Sequence, residues 1–272
     1  MEGLTQSAIN KYLKENKMKK VIILLWLFVV PCLWAQGDKA AGKNDPEVEK
    51  IIRRIDELYR SESSYSEFEM EIVTPHWQRT MVMDAWTIGQ KKTFIRINEP
   101  EKDRGVATLR IENEMWNYLP KTNKVMKIPP SMMMSSWMGS DFTNDDLVKE
   151  FSLFDDYSYE LIKIDEGFDD RIYVRCIPRE DLPVVWGSIV IAATKDKYIP
   201  IWQKYYDEDG KLMRVLNYSD VRDFGGRMIP AAMEMIPQNK EGNKTVIRYN
   251  KLDFDIKIDE EIFSLRNLRA DK

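Results

Sequence analysis

The sequence predicts a mainly β chain with few helices, folded as one strongly curved antiparallel sheet or a barrel. Three observations carry this expectation. Strand-like runs follow one another from Glu67 to Phe254. Turn signals at Asp209-Gly210, Gly225-Gly226 and Glu241-Gly242-Asn243 separate many of them. The runs lie close together in sequence, which favours antiparallel neighbours over parallel crossovers.

Composition permits such a core and excludes several other classes. The chain has 272 residues and is 43% hydrophobic and 11% aromatic, too rich in core formers for intrinsic disorder. Two cysteines cannot build a disulfide scaffold. A formal net charge of -4, with no basic run, disfavours nucleic-acid binding. Fifteen methionines are the one unusual number, and their placement becomes informative below.

The N-terminus reads as an export address. In Met18 to Ala35, Lys19 and Lys20 precede an unbroken apolar run from Val21 to Val30, Pro31 breaks it, and Ala35 offers a small residue for cleavage. The run is shorter than the ~20 apolar residues of a membrane-spanning helix. The expected division is 1–35, a polar extension plus a cleaved signal peptide, and 36–272, a single exported domain. The polar residues ahead of Met18 leave open which of Met1 and Met18 is the initiator. Cys32 is disfavoured as a lipoprotein anchor because Pro31, rather than a small residue, precedes it. Cleavage leaves Cys176 as the single thiol, so no internal disulfide is expected.

The mature part opens with a helix. Asn44-Asp45-Pro46 supplies cap and first-turn residues, and Ile51, Ile52, Ile55, Leu58 and Tyr59 recur at helical spacing opposite Glu49, Arg53, Arg54 and Glu57. In Glu67-Phe68-Glu69-Met70-Glu71-Ile72, glutamate and apolar residues then alternate strictly, giving one wet and one buried face. Further runs are 81–88, 94–97, 106–111, 115–119 and 125–128. After a gap come 159–164, 172–177, 187–193, 201–206, 211–218, 228–236 and 245–254. No linker, fixed-period repeat or low-complexity tract interrupts them.

The gap is the informative region. Pro129-Pro130 ends the strand before it. Thr143 and Asp146 resemble a capping box, which predicts a short helix from Asn144 to about Phe151 with Asp145 and Asp146 in its first turn. Between these signals, Met132, Met133, Met134, Trp137 and Met138 crowd into seven residues. Methionine is most often an adaptable filler of core gaps. The interspersed Ser135, Ser136 and Gly139 suit a surface or a cavity mouth better, where methionine meets varied apolar ligands.

No catalytic constellation is expected, and no metal or cofactor. His76 is the single histidine and sits in a loop signal beside Pro75 and Trp77. One histidine without a cysteine cluster cannot build a usual zinc site, and no nucleophile-elbow pattern accompanies it. Cys176 falls at an apolar alternation position and reads as a buried, inert thiol. Asp207-Glu208-Asp209-Gly210 lacks the length and closing glutamate of a calcium loop and reads as a hairpin turn. The pairs Asp145-Asp146 and Asp155-Asp156 do not converge, because adjacent helical residues diverge by about 100°. Glycine-rich phosphate loops are absent.

Tyr118-Leu119-Pro120 and the run Met138-Gly139-Ser140-Asp141-Phe142-Thr143-Asn144-Asp145-Asp146-Leu147 resemble the LolA-like outer-membrane lipoprotein-sorting family, in its longer branch with a GSDF-x-x-DL motif. Thr143 stands where that branch commonly has serine. The signal peptide, the first helix, Gly105 to Ile111 and the Pro230 to Met235 strand extend the resemblance over the mature chain. It implies an incomplete, half-closed antiparallel β-barrel of about eleven strands under a helical lid, LolA-like in fold. It also implies a periplasmic carrier that takes acyl chains of lipoproteins or other lipids into an apolar cavity. Such a carrier works between an inner-membrane transporter or exporter and an outer-membrane acceptor. Other roles of the same half-barrel are a sensor of mislocalised lipoprotein in envelope stress and an adaptor for a resistance-nodulation-division exporter. The short tail after Phe254 favours carrier over sensor, since such sensors carry a second domain. On this resemblance Met132, Met133, Met134, Trp137, Met138 and Phe142 are expected at the lid or cavity mouth. Gly139 and Ser140 are expected to let the segment bend, Asp141 to latch it, and Thr143 with Asp146 to fix the helix after it.

Overall fold

The structure is a computed structural model that describes residues 46–148, 153–165, 167–179 and 186–269. Contacts divide the chain into Met1–Lys39 and Ala40–Lys272, and all described residues belong to the second unit. The expected signal peptide, its cleavage site and Cys32 lie outside the described residues.

The sheet has thirteen strands. The first six are β1 (Ser63–Val73), β2 (Gln78–Ile88), β3 (Lys92–Glu99), β4 (Ala107–Ile111), β5 (Glu114–Leu119) and β6 (Lys124–Lys127). The other seven are β7 (Tyr157–Ile162), β8 (Arg171–Pro178), β9 (Ser188–Thr194), β10 (Pro200–Tyr206), β11 (Leu212–Phe224), β12 (Arg227–Pro237) and β13 (Lys244–Phe254). Their spatial order is β6-β5-β4-β3-β2-β1-β13-β12-β11-β10-β9-β8-β7. Two antiparallel meanders therefore run outward from a central pairing of β1 with β13. β6 and β7 are the two free edges, so the sheet does not close. The expected half-closed antiparallel fold stands at this level. The expected count of about eleven strands is corrected to thirteen.

Register defines one continuous inner face. Phe68, Met70 and Ile72 of β1 oppose Met83, Met81 and Arg79 of β2 and Tyr249, Ile247 and Thr245 of β13. Every second residue of β1 is buried, because strand side chains alternate between faces. Glu67, Glu69 and Glu71 point the other way, where Arg248 pairs with Glu69 and Glu71.

Helix α1 (Pro46–Asp56) lies on the inner face of the β7–β9 end. Val48, Ile51, Ile52 and Ile55 pack on Tyr157, Tyr159, Val174, Cys176, Ile189, Ile191 and Ala193. Cys176 is fully buried there, and burial pushes its thiol pKa far up, so it is an inert core residue. Tyr59 closes the helix's exit by donating to the Pro230 carbonyl at 2.7 Å.

The outer face is covered at the opposite end. A 3-10 turn, Glu260–Phe263, leads into a short helix at Leu265–Leu268. Phe263 and Leu268 pack on Phe94, Ala107, Leu109 and Tyr118. β3 and β4 are therefore buried on both faces. The sequence reading did not anticipate this cover.

The helical lid is also corrected in detail. Besides α1, the cover of the inner face is a strap in which short helical pieces alternate with irregular chain among the described residues, running in sequence from edge strand β6 to edge strand β7. Its helical parts are a 3-10 turn at Pro130–Met132, helix α2 (Asn144–Val148) and helix α3 (Leu153–Asp156). The expected extension of α2 to Phe151 falls outside the described residues.

Candidate functional site

The strap begins where β6 stops. The Ile128 amide still reaches the Met115 carbonyl at 2.8 Å, but Pro129-Pro130 then supplies no donor and the chain leaves the sheet. Its loop folds back on itself through a bridge between Ser136 and Thr143 and a 2.8 Å bond from the Trp137 amide to the Phe142 carbonyl. At the bend, Met138 and Gly139 have φ of 52° and 82°. A Cβ on Gly139 would meet nothing within 4 Å, so the backbone conformation, rather than space, calls for glycine. Ser140 is 1% exposed, and its hydroxyl donates to the Trp137 carbonyl at 2.7 Å.

The six apolar residues of the segment divide. Trp137 is 3% exposed and belongs to the inner-face core. Met133 and Met138 pack against that core, and Phe142 is half-buried. Met132 and Met134 are about half exposed, and Met134 borders a cavity described below. Under the strap the sheet presents Met70, Met81, Met83 and Met115, all fully buried. Six methionines thus meet in one cluster, four from the floor and two from the strap. Six of the fifteen methionines share this one contact, where unbranched thioether side chains can repack.

Polar bonds hold the strap to both halves of the sheet. Trp137 Nε1 donates to Thr108 Oγ1 of β4 at 3.1 Å. The Asp141 amide donates to Thr245 Oγ1 of β13 at 3.0 Å, and that hydroxyl donates to Asp141 Oδ2 at 2.9 Å. Arg79 Nη1 reaches the Met138 carbonyl at 3.4 Å. At the start of α2, Thr143 and Asp146 bond reciprocally: the Thr143 amide donates to Asp146 Oδ2 at 2.8 Å, and the Asp146 amide to Thr143 Oγ1 at 3.1 Å. Two buried arginines then grip consecutive residues of α2 from opposite halves. Arg110 of β4 donates to the Leu147 carbonyl at 3.0 Å. Arg214 of β11 forms a bidentate pair with Asp146, at 2.8 and 2.7 Å.

Arg214 is the electrostatic centre of the site. Its guanidinium lies 4.4 Å from the ring centres of both Trp186 and Tyr205. Burial pushes the Asp146 carboxyl up, but the hydrogen bonds and charge of Arg214, with bonds from Thr143, outweigh it and hold the pKa below the ordinary 3.8. A depressed carboxyl stabilises the fold above its unfolded-state value and loses that contribution as pH falls through the folded one. The stability advantage of the protein over Asp146→Asn is therefore expected to stay constant between about pH 8 and pH 5 and to shrink below about pH 4. Parallel urea melts of the two proteins measure it, and a gap that grows in acid would contradict the assignment.

Between α1, α2 and the β9–β11 inner face lies a cavity of about 260 Å³. Its apolar wall includes Ile55, Met134, Leu153, Trp186 and Ile189, and its polar wall includes Tyr157, Gln203, Tyr205, Arg214, Asp146 and Asp145. Three grooves of about 530, 520 and 470 Å³ are larger, but none of them is lined by a described strap residue. Among the described residues no cluster of three or more His, Cys, Asp or Glu side chains could hold a metal ion. Likewise no helix among them is long and apolar enough to cross a membrane. His76 is exposed in the β1–β2 hairpin turn. Asp207 and Gly210 form the β10–β11 hairpin, where Asp207 Oδ1 accepts from the Lys211 amide at 2.8 Å.

Sequence reasoning placed the strap but missed its anchors, Thr108, Arg110, Arg214 and Thr245. A signal existed for one of them. Arg214 shares strand parity with Leu216, so period two already put a cation on the apolar face.

Comparisons place this geometry among known folds. A family model described as uncharacterized-protein-like matches residues 89–270. No curated protein matches the sequence. A DUF1329 family protein from Desulfovibrio piger is similar in structure, with 24% identity and a TM-score of 0.70 over 81% of this chain and 97% of that one. A domain named for outer membrane lipoprotein sorting from Vibrio parahaemolyticus has 22% identity and a TM-score of 0.68 over 82% and 97%. A LolA superfamily protein from Nitrosomonas europaea has 19% identity and a TM-score of 0.66 over 80% and 98%.

Proposed function

We propose that this chain, which belongs to the family matched over residues 89–270 and has a LolA-like fold, is an exported carrier of acyl chains. It holds lipid or lipoprotein chains on the inner face beneath the strap and moves them through the periplasm toward the outer membrane. Its partners in this reading are an inner-membrane transporter or exporter and an outer-membrane acceptor. The observation that carries the reading is a methionine-rich strap laid on a methionine-rich inner face and tied down by a few discrete polar bonds. Export rests on the signal-like segment Met18 to Ala35.

Energetics favours reversible opening. Each CH₂ taken from water gains about 0.8 kcal/mol. An ordinary hydrogen bond contributes about 0.5–1.5 kcal/mol net and the packing of Trp137 about 3–5 kcal/mol, costs that the many methylenes of a long chain can together offset. The 260 Å³ cavity lies below the roughly 300–1,000 Å³ of small-molecule pockets. The described conformation is thus a closed one, and loading a long chain requires the strap to lift.

Met134 tests the reading because it is 52% exposed and borders the cavity. Met134→Asp is expected to leave stability within about 0.5 kcal/mol. It is expected to weaken displacement of a fluorescent fatty acid about tenfold. Unchanged affinity in the folded variant counts against the strap as the acyl site. Native mass spectrometry of protein from its own envelope provides a second check. A co-purifying acylated species is expected, whereas a ligand-free protein that binds no acyl chain would overturn the carrier reading.

A further inference from the structure

We propose that Arg214 is the receptor for an anionic headgroup on the acyl cargo, and that Asp146 occupies it as an internal stand-in while the strap is closed. This rests on the carrier reading and adds the chemical class of the cargo: an acyl amphiphile ending in a carboxylate or a phosphate.

The charges around the cavity point this way. Among the described residues its lining holds one cation, Arg214, and three carboxylates, Asp56, Asp145 and Asp146. Asp56 is on α1 and is already neutralised, pairing with Arg60 at 3.0 Å and accepting the Leu153 amide at 2.9 Å. Asp145 and Asp146 are both on α2 and leave with the strap. Lifting the strap therefore strips the inner face of its anion and leaves the cation behind. A buried guanidinium without a counter-charge is strongly unfavourable. An acyl chain that refills the cavity buries the guanidinium again, and an anionic headgroup on that chain supplies the counter-charge that left with Asp146.

The shape of the pocket fits the same ligand. Trp186 and Tyr205, both 4.4 Å from Arg214, hold the guanidinium so that its fork faces the position of the Asp146 carboxylate. That bidentate geometry suits a carboxylate or a phosphate equally. Two donors of residues lining the same cavity, Arg214 Nε and the Tyr157 hydroxyl, are buried and have no hydrogen-bond partner among the described residues. A headgroup with more acceptor atoms than one carboxylate could engage them. The apolar wall of Ile55, Met134, Leu153 and Ile189 begins in the same cavity, where the first methylenes of a chain would lie. Because headgroup and Asp146 compete for one guanidinium, weakening either interaction must strengthen the other.

The test uses the full mature chain and three probes with one C12 tail, dodecanoate, dodecyl phosphate and dodecanol, each displacing an uncharged fluorescent dye. The wild-type protein is expected to bind both anions at least about tenfold more tightly than dodecanol. Asp146→Asn is expected to tighten the anions more than it tightens dodecanol. In Arg214→Gln combined with Asp146→Asn, a neutral hydrogen-bonding pair replaces the ion pair, and a thermal melt confirms folding. There the anion preference is expected to fall to within about twofold while dodecanol still binds. Tighter dodecanoate identifies a free fatty acid as the source, and tighter dodecyl phosphate a phospholipid headgroup. Dodecanol binding as tightly as the anions in the wild type, or a preference that survives the double substitution, overturns the headgroup site alone. Failure of all three probes to bind overturns the carrier reading with it.

Discussion

Arg214→Ala is expected to lower the unfolding free energy by about 3 kcal/mol, near the lower end for breaking one side of a buried ion pair. The effect comes less from the attraction lost than from the Asp146 carboxylate left behind. Asp146 keeps its bonds to Thr143 and has a side chain 19% exposed, which limits the penalty. The loss is nonetheless larger than any exposed pair on this sheet should show, because those pairs typically contribute 0–1 kcal/mol. Arg248→Ala on the outer face, whose partners are Glu69 and Glu71, is the natural control. Replacing Arg214 and Asp146 together by neutral residues should recover most of the loss, since neither charge is then stranded. Urea melts of the four proteins measure the pattern, and a loss under about 1 kcal/mol for Arg214→Ala would contradict it.

Trp137→Ala is expected to cost about 3–5 kcal/mol. The ring is 3% exposed within the inner-face cluster of Met70, Met81, Met83 and Met115, so truncation opens a cavity between strap and floor. Its indole N–H also donates to Thr108 Oγ1, which itself donates to Asn117 Oδ1 at 2.8 Å. Trp137→Phe separates the two contributions. It keeps most of the apolar volume and removes the donor, so a cost nearer 1 kcal/mol is expected from the lost bond alone. If Phe and Ala cost the same, packing is not what holds the strap. Trp137 is thus an anchor of the strap, while Met134 borders the cavity half exposed and contributes little to the fold.

Much of the fold was legible in the sequence, for a local reason. Period-two alternation is visible within six residues, as in Glu67 to Ile72, and the strand-like runs it marks number thirteen, as the strands do. The figure of about eleven came from the family resemblance and was the poorer guide. The strap was legible because Pro129-Pro130 and Gly139 break regular structure, and the Thr143–Asp146 box was visible because its partners are three residues apart. The same breakers explain why the described helical pieces of the cover are short. What could not be read was non-local. Asp146 finds Arg214 across 68 residues and Asp141 finds Thr245 across 104, contacts fixed by sheet register and not by any local pattern. The tail around Phe263 and Leu268 was missed because a short apolar run does not announce which face it will cover.

If the proposed carrier loads acyl chains only when its strap lifts from the inner face, a strap that can be locked shut must stop loading. Thr245 Oγ1 lies 3.0 Å from the Asp141 amide and 2.9 Å from its carboxylate, which brings the two side chains close enough for a disulfide to be tried. Asp141→Cys with Thr245→Cys would tie the strap to β13 when oxidised and free it when reduced. Titration of one protein with a fluorescent fatty acid in both redox states compares them without a change of sequence. Binding is expected in the reduced state, with at least about a tenfold loss on oxidation that reductant restores. Equal affinity in the two states would contradict it.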